Sequence, residues 1–567
     1  LNVTTIPSTP EQVAAVRGQL TAGAATPLPA EAEVSGDWVS APGAGQGAVV
    51  YVHGGGFAHT NPEAERLVAY RLSRATGRPV LRVDYRLAPA HPYPGAMQDV
   101  LAAYQSVLDR GVPASEIVMF GESAGGTLVL SALLELARTG RSSPGAAVAI
   151  SPLTDLALGS PSLSANDGKD LLSRAVLETV RAQYLAGAPA DEAPQSPLHG
   201  RPRGLPPLLI AVGADEVLLD DARRFAEAAD AAGVSVRLEI YEGMPHAFHL
   251  SEAGEALFAR VGRWLADPVR EFTVSGREAG PYALAEGADG ALWFTLVHQA
   301  AIGRRSPDGE LSTYPAGAGP TVIVPGPDDA LWFTEYQAHR IGRITLEGQV
   351  DSFELPTPEA GPFGIAAGPD GALWFTQTNA GRIGRITVEG KVTDHPAQGG
   401  FPSSITAGPD GAMWFTLNQA NAIGRITMDG DTTAYPLPTE AAAPVGITAG
   451  PDGALWFVEI GAGQIGRITV DGAITEYPLP DPGSRPHAIA TGPDGALWFT
   501  EWGGNRVGRI TVDGRISSHD LPTPGSEPHG IASHGGALWC ALEIGTLARI
   551  EVPHDRPRPG RGASANS

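Results

Sequence analysis

Three residue types in one order carry the first chemistry of this chain. Ser123 stands in Gly-x-Ser-x-Gly within "MFGESAGGTLVLSALLELA", between a β-rich run and a helical one. A sharp strand-to-helix turn at that point lifts the serine hydroxyl clear of a sheet and aims a helix N-terminus at developing negative charge. Downstream, "LLIAVGADEVLLDDA" places Asp215 just past a strand, and "LEIYEGMPHAFHL" places His246 just past the next. A carboxylate that orients an imidazole, which in turn deprotonates a serine, is what acyl transfer through a serine requires. Asp220 and Asp221 compete for the acid role, with Asp215 nearest the strand end, and His249 competes with His246. Upstream, "VVYVHGGGFAH" carries His53-Gly54-Gly55-Gly56 after another strand. Consecutive glycines let backbone N–H groups approach a substrate oxygen, the need of an oxyanion hole.

A second constellation closes the chain, in "GSEPHGIASHGGALWCALE" from Gly525 to Glu543. Six earlier segments of similar sequence carry Tyr282, Thr321, Phe363, Ser403, Val445 and His487 where this one carries His529. Glu527 and His529 are two apart, so an extended strand projects them from one face. "SHGG" then reverses the chain and makes Glu543 a near cross-strand neighbour. His487 holds the equivalent slot one repeat earlier and is expected at the same mouth. Two carboxylates with room for water suit a hard divalent cation such as Mg²⁺, and an imidazole beside them suits proton abstraction. Together they point to metal-assisted deprotonation next to a carbonyl.

Two different architectures must position these groups. Up to about residue 268, short β-rich runs such as "GAVVYV", "PVLRVDY" and "EIVMF" alternate with helical patterns, which predicts a mostly parallel sheet with helices on both faces. From Glu271 onward, Trp293, Trp332, Trp374, Trp414, Trp456, Trp498 and Trp539 recur at intervals of 39, 42, 40, 42, 42 and 41 residues. A period near 40 with Asp-Gly turns between alternating strands is the signature of propeller blades, so seven tryptophans predict an all-β seven-bladed propeller. The last repeat lacks its fourth strand, while "REFTV" stands alone before the first, so Phe272 to Val274 are expected to complete the final blade. The repeated tryptophans read as core packing and the arginine of "IGRI" as a structural salt-bridge or solvated position. The expected domains are 1–268 and 269–553, with a lid from about 1–36 and 155–200 and a disordered tail over 554–567.

The formal net charge of −23 argues against nucleic acid or an anionic membrane as partner. Cys540 is the single cysteine, so no intramolecular disulfide is available and a reducing cytoplasm suits the chain. No run of 18 apolar residues and no basic-then-apolar leader is visible, so the reading is a soluble, cytoplasmic protein.

"HGGGF", "DYRLAPA", "GESAGG", "DEVLLDDA" and "GMPHAF" resemble the hormone-sensitive-lipase-like carboxylesterases of the α/β-hydrolase fold, over about residues 40 to 266. The resemblance implies Ser123 as nucleophile, His246 as base, Asp215 as its orienter, and Gly55, Gly56 and Ala124 as oxyanion N–H donors. Glu122 stands where Asp is usual before the serine, and Ala90 where Glu is usual after "DYRLAP". The seven repeats, "EFTV…GPYALAEGADGALWFT" and "EPHGI…ALE" resemble streptogramin B lyases, also called virginiamycin B lyases, over about 270 to 552. That resemblance implies His529 as general base, Glu527 and Glu543 as Mg²⁺ ligands, and His487 as a substrate contact. Cys540 replaces the usual Phe. The combined expectation is a bifunctional enzyme, a serine carboxylesterase joined to a Mg²⁺-dependent lyase, acting on small-molecule esters that include cyclic depsipeptide antibiotics. The runner-up is an esterase whose propeller is a non-catalytic binding module.

Overall fold

The computed structural model describes residues 1–22 and 26–552, in two compact units, Leu1–Asp267 and a second that begins at Pro268. The tail expected over 554–567 lies outside the described residues.

The first unit is built on nine strands: β1 (Asn2–Ile6), β2 (Glu33–Ser35), β3 (Trp38–Ser40), β4 (Ala48–Val52), β5 (Val80–Val83), β6 (Ile117–Glu122), β7 (Ala146–Ile150), β8 (Leu208–Gly213) and β9 (Val236–Tyr241). They lie in the order β1-β9-β8-β7-β6-β4-β5-β3-β2. The seven strands from β1 to β5 in that order pair in parallel, while β3 and β2 run antiparallel at the far edge. Both faces are apolar, because successive residues of one strand serve different cores. Ala48, Val50, Val52, Ile117 and Met119 pack against the helices Gly95–Asp109, Ala124–Arg138 and Leu219–Ala231. Val49, Tyr51, Val118 and Phe120 pack on the other side, against Pro62–Thr76 and Ala253–Ala266.

The lid expected over 1–36 is corrected in part. Asn2–Ile6 is a sheet strand, parallel to β9 from Asn2 opposite Arg237 to Ile6 opposite Tyr241. Its alternating half-buried and exposed residues fit an edge position.

The second unit is a ring of seven four-stranded antiparallel sheets. Each blade opens with a strand that begins at proline: Pro281, Pro320, Pro362, Pro402, Pro444, Pro486 and Pro528. These inner strands adjoin one another around the ring. The repeated residues are structural. In six blades the tryptophan Nε1 donates to the aspartate of the turn, as Trp332 to Asp328 at 2.9 Å, and the "IGR" arginine pairs with the same carboxylate, as Arg343 to Asp328 at 2.7 Å. The glycine before that arginine lies opposite the phenylalanine of "LWF", as Gly303 opposite Phe294. A Cβ there would stand 2.1 Å from the ring.

The seventh blade breaks these rules together. Cys540 replaces phenylalanine, and its cross-strand partner is Ala548 where every other blade has glycine. The smaller side chain vacates the space the alanine methyl needs, so the pair is a compensated exchange. "SHGG" supplies no aspartate, and Trp539 Nε1 has no hydrogen-bond partner among the described residues; its ring packs on Phe272 at 5.3 Å, with the Arg305 guanidinium 5.5 Å from its centre. The fourth strand of this blade is Val269–Thr273, antiparallel to Thr546–Ile550, so the strand expected near Phe272 does complete it, shifted toward the N-terminus. Closure of this kind leaves no open sheet edge between the first and last repeats.

Candidate active sites

Ser123 sits at the end of β6 and before the helix Ala124–Arg138, with φ 51° and ψ −121°. A non-glycine residue is held at positive φ only where its surroundings over-determine it. Here the flanking glycines do so: a Cβ on Gly125 would stand 2.0 Å from the Val52 carbonyl, and one on Gly121 would stand 2.3 Å from the Gly125 carbonyl. Only glycines let β4, β6 and the helix come this close.

His246 Nε2 lies 2.9 Å from Ser123 Oγ. Its Nδ1 lies 2.9 Å from Glu216 Oε2, not from Asp215. Glu216 is fully buried, and its Oε1 accepts from Gly213 N–H and the Ser151 hydroxyl, both at 2.7 Å. Asp215 is therefore corrected as the orienter. It is partly exposed and pairs with Arg17 at 2.9 Å, on the outer side of the same turn. The residue nearest the strand end points away, and the longer glutamate one position on folds back under the imidazole. Asp220, Asp221 and His249 are each engaged elsewhere. Asp220 accepts from Ser162 N–H, Asp221 from Thr154 and Asp155 N–H, and His249 pairs with Glu122.

Asp170, which no sequence pattern singles out, accepts from His246 N–H at 2.7 Å and Val217 N–H at 2.8 Å, tying the base loop to the acid loop. Burial disfavours the His246 cation, but the Glu216 hydrogen bond and the charges of Glu216 and Asp170 outweigh it and raise the imidazole above its ordinary value. Gly55, Gly56, Ser123, Ala124 and His246 line one cavity of about 630 Å³. Ala124 opens its helix, so its N–H has no intrahelical partner. The far wall is apolar, from Val176, Leu177 and Val180 of the helix Arg174–Leu185, within the 155–200 stretch expected to cover the site.

In the propeller, the structure gathers Glu527, His529 and Glu543 so that one ligand atom of each lies within 4.8 Å of the others. His529 Nε2 is 2.6 Å from Glu543 Oε2. Glu527 stands just before its strand, at φ 51°, and its carbonyl accepts from Glu543 N–H at 3.2 Å. The same position is glycine in three blades, so the glutamate occupies a left-handed site that favours glycine. His487 meets His529 edge to face, with ring centres 4.9 Å apart.

Two further residues join this cluster. His298 Nε2 lies 2.7 Å from Glu543 Oε1, and Tyr282 stacks on His529 at 4.4 Å while its hydroxyl is 3.3 Å from His487 Nε2. Both belong to the first blade. Their signal in the sequence is ring closure itself, which sets the first and last repeats side by side. The His529 hydrogen bond, with that of His298, overcomes burial and holds the Glu543 carboxyl down at about 2. Burial, reinforced by His529, pushes His487 down to about 3, so its ring is neutral at pH 7. The two carboxylates of Glu527 and Glu543 fit a hard divalent cation held through oxygen, with the His529 imidazole beside them.

Comparison with known proteins finds a family match for each half of the chain. The profile of the alpha/beta hydrolase fold matches residues 49–250, and that of the Virginiamycin B lyase family matches 267–550. An acetyl-hydrolase of Streptomyces hygroscopicus is 41% identical over 202 residues, 35% of this chain and 68% of the relative. An esterase of Acinetobacter venetianus is 35% identical over 246 residues, 43% of this chain and 80% of the relative. Among solved structures, virginiamycin B lyase from Staphylococcus aureus is 42% identical, covering 50% of this chain and 99% of that one, with a TM-score of 0.49. An esterase of the bacterial hormone-sensitive lipase family is 33% identical, covering 46% and 98%, with a TM-score of 0.43. Among the described residues, no helix is long and apolar enough to cross a membrane. The chain thus belongs to the virginiamycin B lyase family through its propeller, and through its first unit to the alpha/beta hydrolases that include acetyl-hydrolases and esterases.

Proposed function

We propose that the chain is a bifunctional enzyme, in which the first unit hydrolyses small carboxylic esters and the propeller cleaves an ester C–O bond by elimination. The hydrolase reading is carried by the unbroken chain from Ser123 Oγ through His246 to the buried Glu216, with Ser123 and His246 lining a largely apolar cavity. Ser123 attacks the ester carbonyl while its proton passes to His246 Nε2. Glu216 steadies the imidazolium, and N–H groups of Gly55, Gly56 and Ala124 receive the oxyanion. His246 then gives the proton to the departing alcohol. Water, activated by the same imidazole, releases the acid and restores the serine.

The elimination reading is supported by the convergence of Glu527, His529 and Glu543. Glu527 and Glu543 would hold a divalent cation, for which Mg²⁺ is the proposal. When bound, it would supply charge stabilisation for enolate-like oxygen. His529 takes the proton from carbon next to a carbonyl, the β C–O bond breaks, and the ester carboxylate leaves as an alkene forms. Neutral His487 and Tyr282 provide a surface beside that carbon. The substrate class is a cyclic depsipeptide such as a streptogramin B, which would be linearised.

Mass spectrometry separates the two chemistries, since hydrolysis adds one water and elimination leaves the mass unchanged. The expected result is linearisation at unchanged mass, abolished by EDTA and by His529→Ala, with aryl-ester hydrolysis intact in both cases. An intact cyclic substrate over a panel of depsipeptides would return the propeller to a binding module.

A further inference from the structure

Glu122, the residue immediately before the nucleophile, has no part in the relay, yet its buried carboxylate gathers donors from three segments. Tyr51 of β4 donates its hydroxyl to Oε1 at 2.6 Å. Gly54, which leads into the glycine loop, donates its N–H to the same oxygen at 3.4 Å. Oε2 pairs with His249 Nε2, three residues beyond His246. The glycine loop has little slack around this anchor. Tyr85 donates its hydroxyl to the carbonyls of His53 and Gly54, each at 3.0 Å, and a Cβ on Gly54 would stand 3.3 Å from Ser123 Cβ.

A buried carboxylate and imidazole are costly to desolvate, and apolar residues of similar volume would fill this space at least as well. What the pair adds is direction, because charge-assisted hydrogen bonds fix angles that apolar packing leaves loose. We propose that Glu122 and His249 form a positioning pair that locks the glycine loop and the His246 loop to the nucleophile's own turn. They act through Gly54 to Gly56 and through His246, and so set where the oxyanion donors and the base stand relative to Ser123 Oγ. The glutamate is long enough to reach His249 from the residue before the serine. This inference rests on the reading of Ser123 as nucleophile.

The test is steady-state hydrolysis of p-nitrophenyl acetate by the full chain, with melting midpoints measured in parallel. Misplacing a catalytic group by an ångström costs on the order of 10²-fold. Glu122→Ala and His249→Ala are each expected to lower kcat by about 10- to 100-fold with KM nearly unchanged. The double variant is expected to be no worse than either single one, since the pair acts as a unit. His249→Gln, which keeps a donor toward Glu122, is expected to recover most of the rate. Unchanged kcat in His249→Ala, losses that multiply in the double variant, or equal losses in His249→Ala and His249→Gln would each overturn the proposal. Should Glu122→Ala not fold, the two His249 variants decide it alone. A wild-type chain inert on esters sinks the nucleophile reading and this inference together, whereas an active wild type with an unaltered His249→Ala sinks only the inference.

Discussion

Glu216 grips His246 Nδ1 with one carboxylate oxygen at 2.9 Å, while the other accepts from Gly213 N–H and the Ser151 hydroxyl. The carboxylate is thus fixed from below before it meets the imidazole. Replacing it with alanine leaves those donors unpaired and frees the ring to rotate. Glu216→Ala is expected to lower kcat for a p-nitrophenyl ester by roughly 10³- to 10⁴-fold. Asp215→Asn, which breaks only a partly exposed pair with Arg17, is expected to stay within about threefold. Comparable losses in both variants would contradict the assignment.

The same environment sets a pH dependence. His246 must be neutral to accept the serine proton, and its value is raised by Glu216 and Asp170 in spite of burial. Activity is therefore lost as pH falls through a value above the ordinary histidine value of about 6.5. Asp170→Asn removes one of the charges that favour the cation, so the acid limb of kcat/KM should move to lower pH. A pH–rate profile checks this, and a shift toward higher pH would be inconsistent with it.

In the propeller, Glu527 occupies a left-handed position that Gly280, Gly319 and Gly361 fill in other blades. A non-glycine residue there costs about 1–2 kcal/mol. Part of that is offset by the larger chain entropy glycine would have when unfolded. Glu527→Gly is expected to leave stability unchanged or raised by up to about 1 kcal/mol. Divalent-cation binding, read by calorimetry, should weaken at the same time. A clear loss of stability would mean that the glutamate serves the fold and not an ion.

His298 offers a separate handle on the same site. It holds Glu543 Oε1, while His529 holds the other oxygen, and its own ring is half exposed. Removing an outer partner of a ligating carboxylate typically weakens metal affinity about 10- to 100-fold. His298→Ala is expected to show that loss in a Mn²⁺ titration while its melting midpoint hardly moves.

The seventh blade can be tested by exchange. Cys540→Phe alone drives a ring into the Ala548 methyl, and overpacking of this kind costs about 1–3 kcal/mol. Adding Ala548→Gly reproduces the arrangement of the other six blades and should recover most of the loss in thermal unfolding. Independent, additive effects would show that the two residues do not share one space.

The ring and the sheet are legible in the sequence because their signals are periodic: tryptophans near every 40 residues, and strands apolar on both faces between helices. Ser123 and His246 are legible because strand ends and glycines bracket them. The acid is harder to place, since Asp215 and Glu216 are adjacent and the turn after Gly213 alone decides which carboxyl faces inward. Asn2–Ile6 looks like part of a lid because an edge strand of five residues has too little apolar contrast to announce itself. His298 gives no local sign, because it lies 245 residues from Glu543 and only closure of the ring makes them neighbours.

The strand Val269–Thr273 follows directly on the first unit, yet its hydrogen-bonding partner is Thr546–Ile550. During synthesis, therefore, every strand of the first unit has emerged while this strand still waits, unpaired, for the seventh blade to follow. The cluster of Glu527, His529 and Glu543 with His487, Tyr282 and His298, drawn from the first, sixth and seventh blades, is complete only at that final zippering. A chain that stops within the ring before Glu527 would keep Ser123, His246 and Glu216 and lack Glu527, His529 and Glu543.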